Sequence, residues 1–223
     1  MDIVDTIALT MGVAWASGIN LYAALFMLGY MGVTGNIDLP PDLEILQNPM
    51  VMGAAGFMYC VEFFADKVPG IDTTWDTLHT FIRIPAGAML AGAAVGDVNQ
   101  AVEFSAMILG GTLSAGSHFA KAGTRVLINT SPEPVTNWTA SITEDIAVIG
   151  GLWTALNHPV LFIIALIVFI ALMIWLLPKL WRGIKRLACA IGRLFGLCKK
   201  EEPVPTQKSP ATTTDNTSQD PPP

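Results

Sequence analysis

Charge is what this sequence has least of: Asp, Glu, Lys and Arg make up 13% of it, against 52% apolar residues. One water-soluble core of 223 residues cannot hide that much apolar surface, so a single soluble domain is excluded. Cysteine is also scarce. Cys60, Cys189 and Cys198 lack metal-type spacing, and the last two follow the final apolar block, where a reducing compartment is expected, so all three read as free thiols. There is no Cys-x-x-Cys, His-Glu-x-x-His, Gly-x-Ser-x-Gly or phosphate-binding loop, so nothing points to hydrolysis or redox chemistry, and the chain reads as a non-enzyme without a cofactor. The pairs Asp72/Asp76 and Glu144/Asp145 have no convergent His or Cys beside them, so no metal is expected. A net charge of −6, unevenly placed, argues against nucleic acid as a partner. The start at Met1, Asp2 and Asp5 has no basic flank and no Ala-x-Ala site, so the first apolar block is expected to be a retained span.

What the sequence does have is long apolar blocks separated by polar ones. About 20 helical residues cross about 30 Å of hydrocarbon, and six blocks approach that length. The first, Ile3 to Val33, is longer and carries Gly12, Ser17, Gly18 and Asn20 at mid-length, so it is either one tilted helix or two joined pieces. Asn48-Pro49 opens the second block, with Asn48 as N-cap and proline in the first turn, and Pro69-Gly70 closes it. Ile71 to Arg83 alternates an apolar stripe (Ile71, Trp75, Leu78, Ile82) with a polar one (Asp72, Asp76, His79, Arg83), which predicts an amphipathic helix lying at the membrane interface with His79 solvated. The third block, Ile84 to Val98, is short and rich in Ala and Gly, so it spans or is re-entrant. Ala101 to Ile128, a helix from near Asn137 to Asn157, and Val160 to Leu177 supply the remaining spans. The predicted fold is an all-α polytopic bundle of about six transmembrane helices with interfacial amphipathic helices, and a homo-oligomer is left open.

Three regions follow: a transmembrane domain over 1–178, a basic amphipathic helix over 179–200, and a disordered tail over 201–223 rich in Pro, Thr, Ser, Asp and Gln. The basic stretch 179–193 fits an anionic inner leaflet. With six spans and a cytosolic N-terminus, the outer loops hold no Lys or Arg and all 12 bases fall inside. That places the chain in a bacterial inner membrane with both termini cytosolic. A shift of 98 positions lays Gly12, Ser17, Gly18 and Asn20 on Gly110, Ala115, Gly116 and His118. This marks a candidate inverted repeat, 3–98 and 101–178, with helix breaks at Gly18, Asn20 and Gly116, a pattern of secondary transporters.

At about 1.5 Å per residue, Glu62, Lys121, Glu144 and Asp145 share a slab about 10 Å deep on the cytosolic side, with Asp66 and Arg125 just below. His118, Lys121 and Arg125 follow one another at intervals of three and four and share a helix face. These charges either line a polar cavity that relays protons, binds cations or holds an anionic group, or they snorkel and pair to fix the bundle.

The run Val61-Glu62-Phe63-Phe64-Ala65-Asp66-Lys67-Val68-Pro69-Gly70-Ile71-Asp72, with Trp75-Asp76, His79, Phe81, Arg83 and Pro85-Ala86-Gly87-Ala88, resembles a bacterial membrane family catalogued as domain of unknown function 4126. His118-Phe119-Ala120-Lys121-Ala122-Gly123-Thr124-Arg125, Asn129-Thr130-Ser131-Pro132-Glu133-Pro134, Asn137-Trp138 and Glu144-Asp145 look like its second signature. The resemblance covers most of residues 10 to 190 and implies a small integral membrane protein, without implying an activity. Two functions are expected from different classes. One is a transporter-like protein moving a small or anionic solute or a lipid head group, with Glu62 as the coupling carboxylate and Lys121 and Arg125 as anion ligands. The other is a non-transporting scaffold or envelope-stability protein that recruits partners through its basic C-terminal helix.

Overall fold

The apolar blocks fold as helices, and polar side chains mark where three of them start. In the computed structural model, which describes residues 2–68, 70–129 and 134–194, the Asp2 amide donates to Asp5 Oδ2 at 3.0 Å and opens α1, Ile3–Val33. Asn48 Oδ1 accepts from the Met50 amide at 2.9 Å at the head of α2, Pro49–Ala65. Asn99 caps α4, Gln100–Ile128, accepting from the Val102 amide at 3.0 Å. Between α1 and α2 a 3-10 helix, Pro41–Gln47, tucks Leu43 and Leu46 inside. Gly70, with φ of 89°, makes the turn into α3, Ile71–Ala94. Two further helices, α5 (Pro134–Asn157) and α6 (Pro159–Leu194), complete the order. Among the described residues every regular element is helical and no strand occurs.

α1 is the core helix. Of its most apolar stretch 72% is buried, against 17% for α6, which turns Ile164, Ile167, Val168 and Ile174 outward. These two helices, over Ile3–Val33 and Pro159–Arg186, are long and apolar enough to cross a membrane. α1 packs against α2, α3, α4 and α5. Small residues let the backbones approach: a Cβ at Gly87 of α3 would come within 2.5 Å of Ser17 Oγ and of Ser114 Cβ, and one at Gly18 would overlap Ser117 and the Ser114 carbonyl.

The structure corrects the sequence reading in three places. Ile71–Arg83 and the third apolar block are one continuous helix, α3, with Pro85 inside it. Its polar stripe faces inward: Asp72, Asp76, His79 and Arg83 are buried, whereas Ile71, Leu78, Phe81 and Ile82 are exposed. The expected interfacial helix is therefore inside out, because these polar side chains find partners within the bundle. Likewise α6 continues through Pro178 into the basic segment, since a proline costs a helix one hydrogen bond without obliging it to end. Cys198, residues 195–200 of the basic segment and the tail at 201–223 lie outside the described residues.

Candidate functional site

Where α1 crosses the bundle its helix breaks. Asn20 has φ −145° and ψ 95°, the one non-helical residue inside Ile3–Val33, so α1 is two pieces joined end to end. The side chain causes the break and also repairs it. Asn20 Oδ1 takes the Ala23 amide at 3.0 Å, which in an unbroken helix would serve the Ile19 carbonyl. That carbonyl instead accepts from Lys121 Nζ at 3.1 Å, placing an ammonium at the negative end of the first piece. The other end of the Asn20 amide donates to Asp145 Oδ1 at 3.0 Å.

Around this break, helical spacing collects charges from four helices. Glu62 on α2 and Asp66 at its end are four residues apart, as are Lys121 and Arg125 on α4, while Asp76 and Arg83 on α3 are seven apart; each pair therefore shares a face. Arg83 reaches Glu62 Oε1 at 2.6 Å and Asp76 Oδ1 at 2.9 Å. Lys121 meets Asp66 at 2.8 Å, Glu62 at 3.3 Å, Glu144 at 3.6 Å and Asp76 at 3.8 Å. Arg125 holds Glu144 with two parallel bonds of 2.7 and 3.2 Å and also bonds Asn137 Oδ1 at 2.8 Å. Glu62, Arg83 and Arg125 are fully buried. In all, four carboxylates (Glu62, Asp66, Asp76, Glu144) meet three cations (Arg83, Lys121, Arg125). One oxygen each of Glu62, Asp66 and Asp76 has no hydrogen-bond partner among the described residues.

Polar groups border the network. His118 lies 2.7 Å from Thr80 Oγ1 and 3.4 Å from Arg83 Nη1. His79 Nδ1 donates to the Trp75 carbonyl at 2.9 Å and Nε2 faces the Tyr22 hydroxyl at 3.1 Å. Lys67, beyond the end of α2, donates to the Phe63 carbonyl at 3.0 Å and sits over the Phe63 ring. Burial lowers its ammonium from the usual lysine range, against the opposing pull of Asp145 and Asp66. Asp72 accepts from Asn129 Nδ2 at 2.8 Å, tying the start of α3 to the end of α4. A groove of about 490 Å³, lined by Thr124, Ile128, Thr139 and Thr143, reaches the network at Glu144.

The model of the domain of unknown function 4126 family matches residues 7–179. The chain belongs to that family. No curated protein and no solved structure matches it.

In this member of the 4126 family, Glu62, Lys121, Arg125 and Glu144 form one connected set, whereas the depth count groups Glu62, Lys121 and Glu144 with Asp145 and sets Arg125 just below them. His118 sits at its edge beside Arg83. Asp145 joins through Asn20 and makes no ion pair with the described cations. Gly18 lies against Ser114 and Ser117 as a packing contact, two residues before the break. The break expected at Gly116 does not occur. α4 is continuous there, and the glycine makes room for the Met173 methyl, which a Cβ would meet at 2.6 Å. Sequence reasoning placed Asp76 and Arg83 at the interface and so missed two members of the network. Their four- and three-residue spacing with Asp72 and His79 was a usable signal, but a polar stripe alone does not say which side faces the protein.

Proposed function

We propose that this chain is a multi-pass carrier of the bacterial inner membrane, with six spans in two groups of three and both termini cytosolic. The buried charge network is its coupling site, held closed in this conformation. The observation that carries the reading is the break in α1 at Asn20, which presents the Ile19 carbonyl to Lys121 and the Asn20 amide to Asp145. Discontinuous helices with free termini at mid-membrane are how carriers make ion and solute sites, and bundle packing alone does not require one.

The polarity of the molecule supports a lipid setting. Arg83 and Glu62 are fully buried while Met50 is 83% and Phe81 81% exposed, an arrangement unfavourable in water and favourable in hydrocarbon. The orientation that makes the bases other than Arg83, Lys121 and Arg125 cytosolic also puts Glu62 and Asp66 at the inner end of α2, Asp76 toward the inner end of α3 and Lys121 and Arg125 toward the inner end of α4. The network then opens toward the cytosol, where the groove at Glu144 would admit a small solute or a lipid head group. An anionic group would have to displace Asp66 or Glu144 from Lys121 and Arg125.

The test is thiol accessibility in intact membranes, with single cysteines at positions 62, 121 and 144 in a background lacking Cys60, Cys189 and Cys198. Labelling by an impermeant maleimide from the cytosolic side alone is expected, with position 144 reacting fastest. Stable insertion with no labelling from either side would end the carrier reading. Such a result would favour the scaffold, for which the closed pairing of all three cations speaks, as do the basic residues of α6 that lie over Trp175 and Trp181. That reading requires that deletion of 179–223 abolishes function while the network tolerates substitution.

A further inference from the structure

Asp145 differs from every other buried carboxylate of the bundle. Glu62, Asp66 and Asp76 each pair with a cation, and Asp72 accepts from the Gly70 amide and from Asn129. Asp145 is 7% exposed, accepts from the Asn20 amide at 3.0 Å with the Tyr59 hydroxyl as a second neighbouring donor, and pairs with no described cation. The titratable groups facing it are Tyr59 and Glu62 on α2, Asp66 and Lys67 just beyond it, and Lys121 on α4, and neither lysine makes an ion pair with it.

Two influences on this side chain oppose each other. An ionised carboxylate buried away from water without an ion-pair partner is costly, and a neutral carboxyl much less so. Against that, the Asn20 amide bonds a carboxylate more strongly than a carboxylic acid. Among the described residues no group of His, Cys, Asp and Glu could hold a metal ion. A proton neutralises Asp145 without further ligands.

We infer that Asp145 is a proton-exchanging group whose charge state decides whether α1 is broken at Asn20. This rests on the carrier reading and names its coupling ion. Ionised Asp145 holds Asn20 Nδ2, so Asn20 Oδ1 keeps the Ala23 amide and the Ile19 carbonyl stays with Lys121. When Asp145 takes up a proton its hold on Asn20 weakens, the Ala23 amide returns to the Ile19 carbonyl, and Lys121 loses one of its ligands. The signal then passes to Glu62 and Asp66, which share that ammonium. The expected coupling carboxylate, Glu62, is clamped by Arg83 and Lys121 and is the receiver of this change, with Asp145 as the proton carrier.

The experiment is infrared difference spectroscopy of the full chain in liposomes, following the carboxylic acid carbonyl band from about pH 5 to about pH 9, the span over which buried carboxyls titrate. A band that fades as pH rises, is absent in Asp145→Asn and moves to higher frequency in Asn20→Leu, where its hydrogen bond is gone, is the expected result. If Asp145→Asn fails to accumulate, Asp145→Glu must retain a titrating band at an altered frequency. No band in the wild type, a band that never titrates, or one unchanged by Asp145→Asn overturns the proposal. A titrating Asp145 band in a protein whose thiols at 62, 121 and 144 are inaccessible would leave the proton assignment standing and retire the carrier.

Discussion

An ammonium has three hydrogens to give, and Lys121 gives them to Asp66, the Ile19 carbonyl and Glu62. Buried at 5% exposure and touching four carboxylates, it is the residue on which the network's charge balance turns. Removing one partner of a buried ion pair leaves an uncompensated charge, at a cost of about 3–5 kcal/mol. Lys121→Met is therefore expected to lower thermal stability in detergent by an amount of that order. Adding Asp66→Leu should recover part of the loss, because the orphaned carboxylate leaves with its partner. A double variant less stable than the sum of the two singles would mean that the pair is not the unit of stability. At this scale the sequence revealed depth and little more. Counting residues from block ends put Glu62, Lys121 and Glu144 in one layer, but which oxygen each cation meets depends on helix rotation, which composition does not encode.

The close approach of α1, α3 and α4 is a property of elements, set by small side chains at the crossing. Gly18 and Gly150 are both helical glycines, yet a Cβ at Gly18 would overlap Ser117 and the Ser114 carbonyl, whereas one at Gly150 meets nothing within 4 Å. Gly18→Ala is expected to destabilise by about 1–3 kcal/mol through overpacking, and Gly150→Ala to be neutral or stabilising by up to about 1 kcal/mol through helix propensity. Melting temperatures of the two variants in one detergent check the contrast, and equal melting would remove the crossing as a constraint. The start of α2 was legible because capping chemistry is local: Asn48-Pro49 needs no knowledge of the rest of the chain. Helix interiors were less so. The change of pattern after Arg83 and the proline at Pro178 read as boundaries, and both helices continue through them. The inward turn of Asp72, Asp76, His79 and Arg83 was hidden because amphipathicity fixes a direction only once the solvent outside is known.

At the scale of the molecule the question is which helices cross a bilayer in the proposed carrier. Among the described residues only α1 and α6 are long and apolar enough to qualify: α2 is apolar but short, and α3, α4 and α5 carry charges that the network buries. Hydropathy undercounts spans wherever a polar stripe faces protein instead of lipid, and on the carrier reading the buried stripe of α3 is such a case. The bases outside the network are independent of that bias, and six crossings place those nine Lys and Arg, Lys67 and the set from Lys179 to Lys208, on one side. Reporter fusions decide it: a phosphatase active only outside the cytosol should be active after Asn36, Asp97 and His158, and a fluorescent protein that matures only in the cytosol should shine after Lys67, Asn129 and Arg186. If α3 does not span, the fusions after Asp97 and every later position reverse together, the basic end of α6 falls outside, and Asp76 and Arg83 lose the depth that a network shared with Glu62 and Lys121 requires. The same six fusions therefore test the topology and the network at once, since α3 contributes Asp76 and Arg83 to that network from within the layer it is proposed to cross.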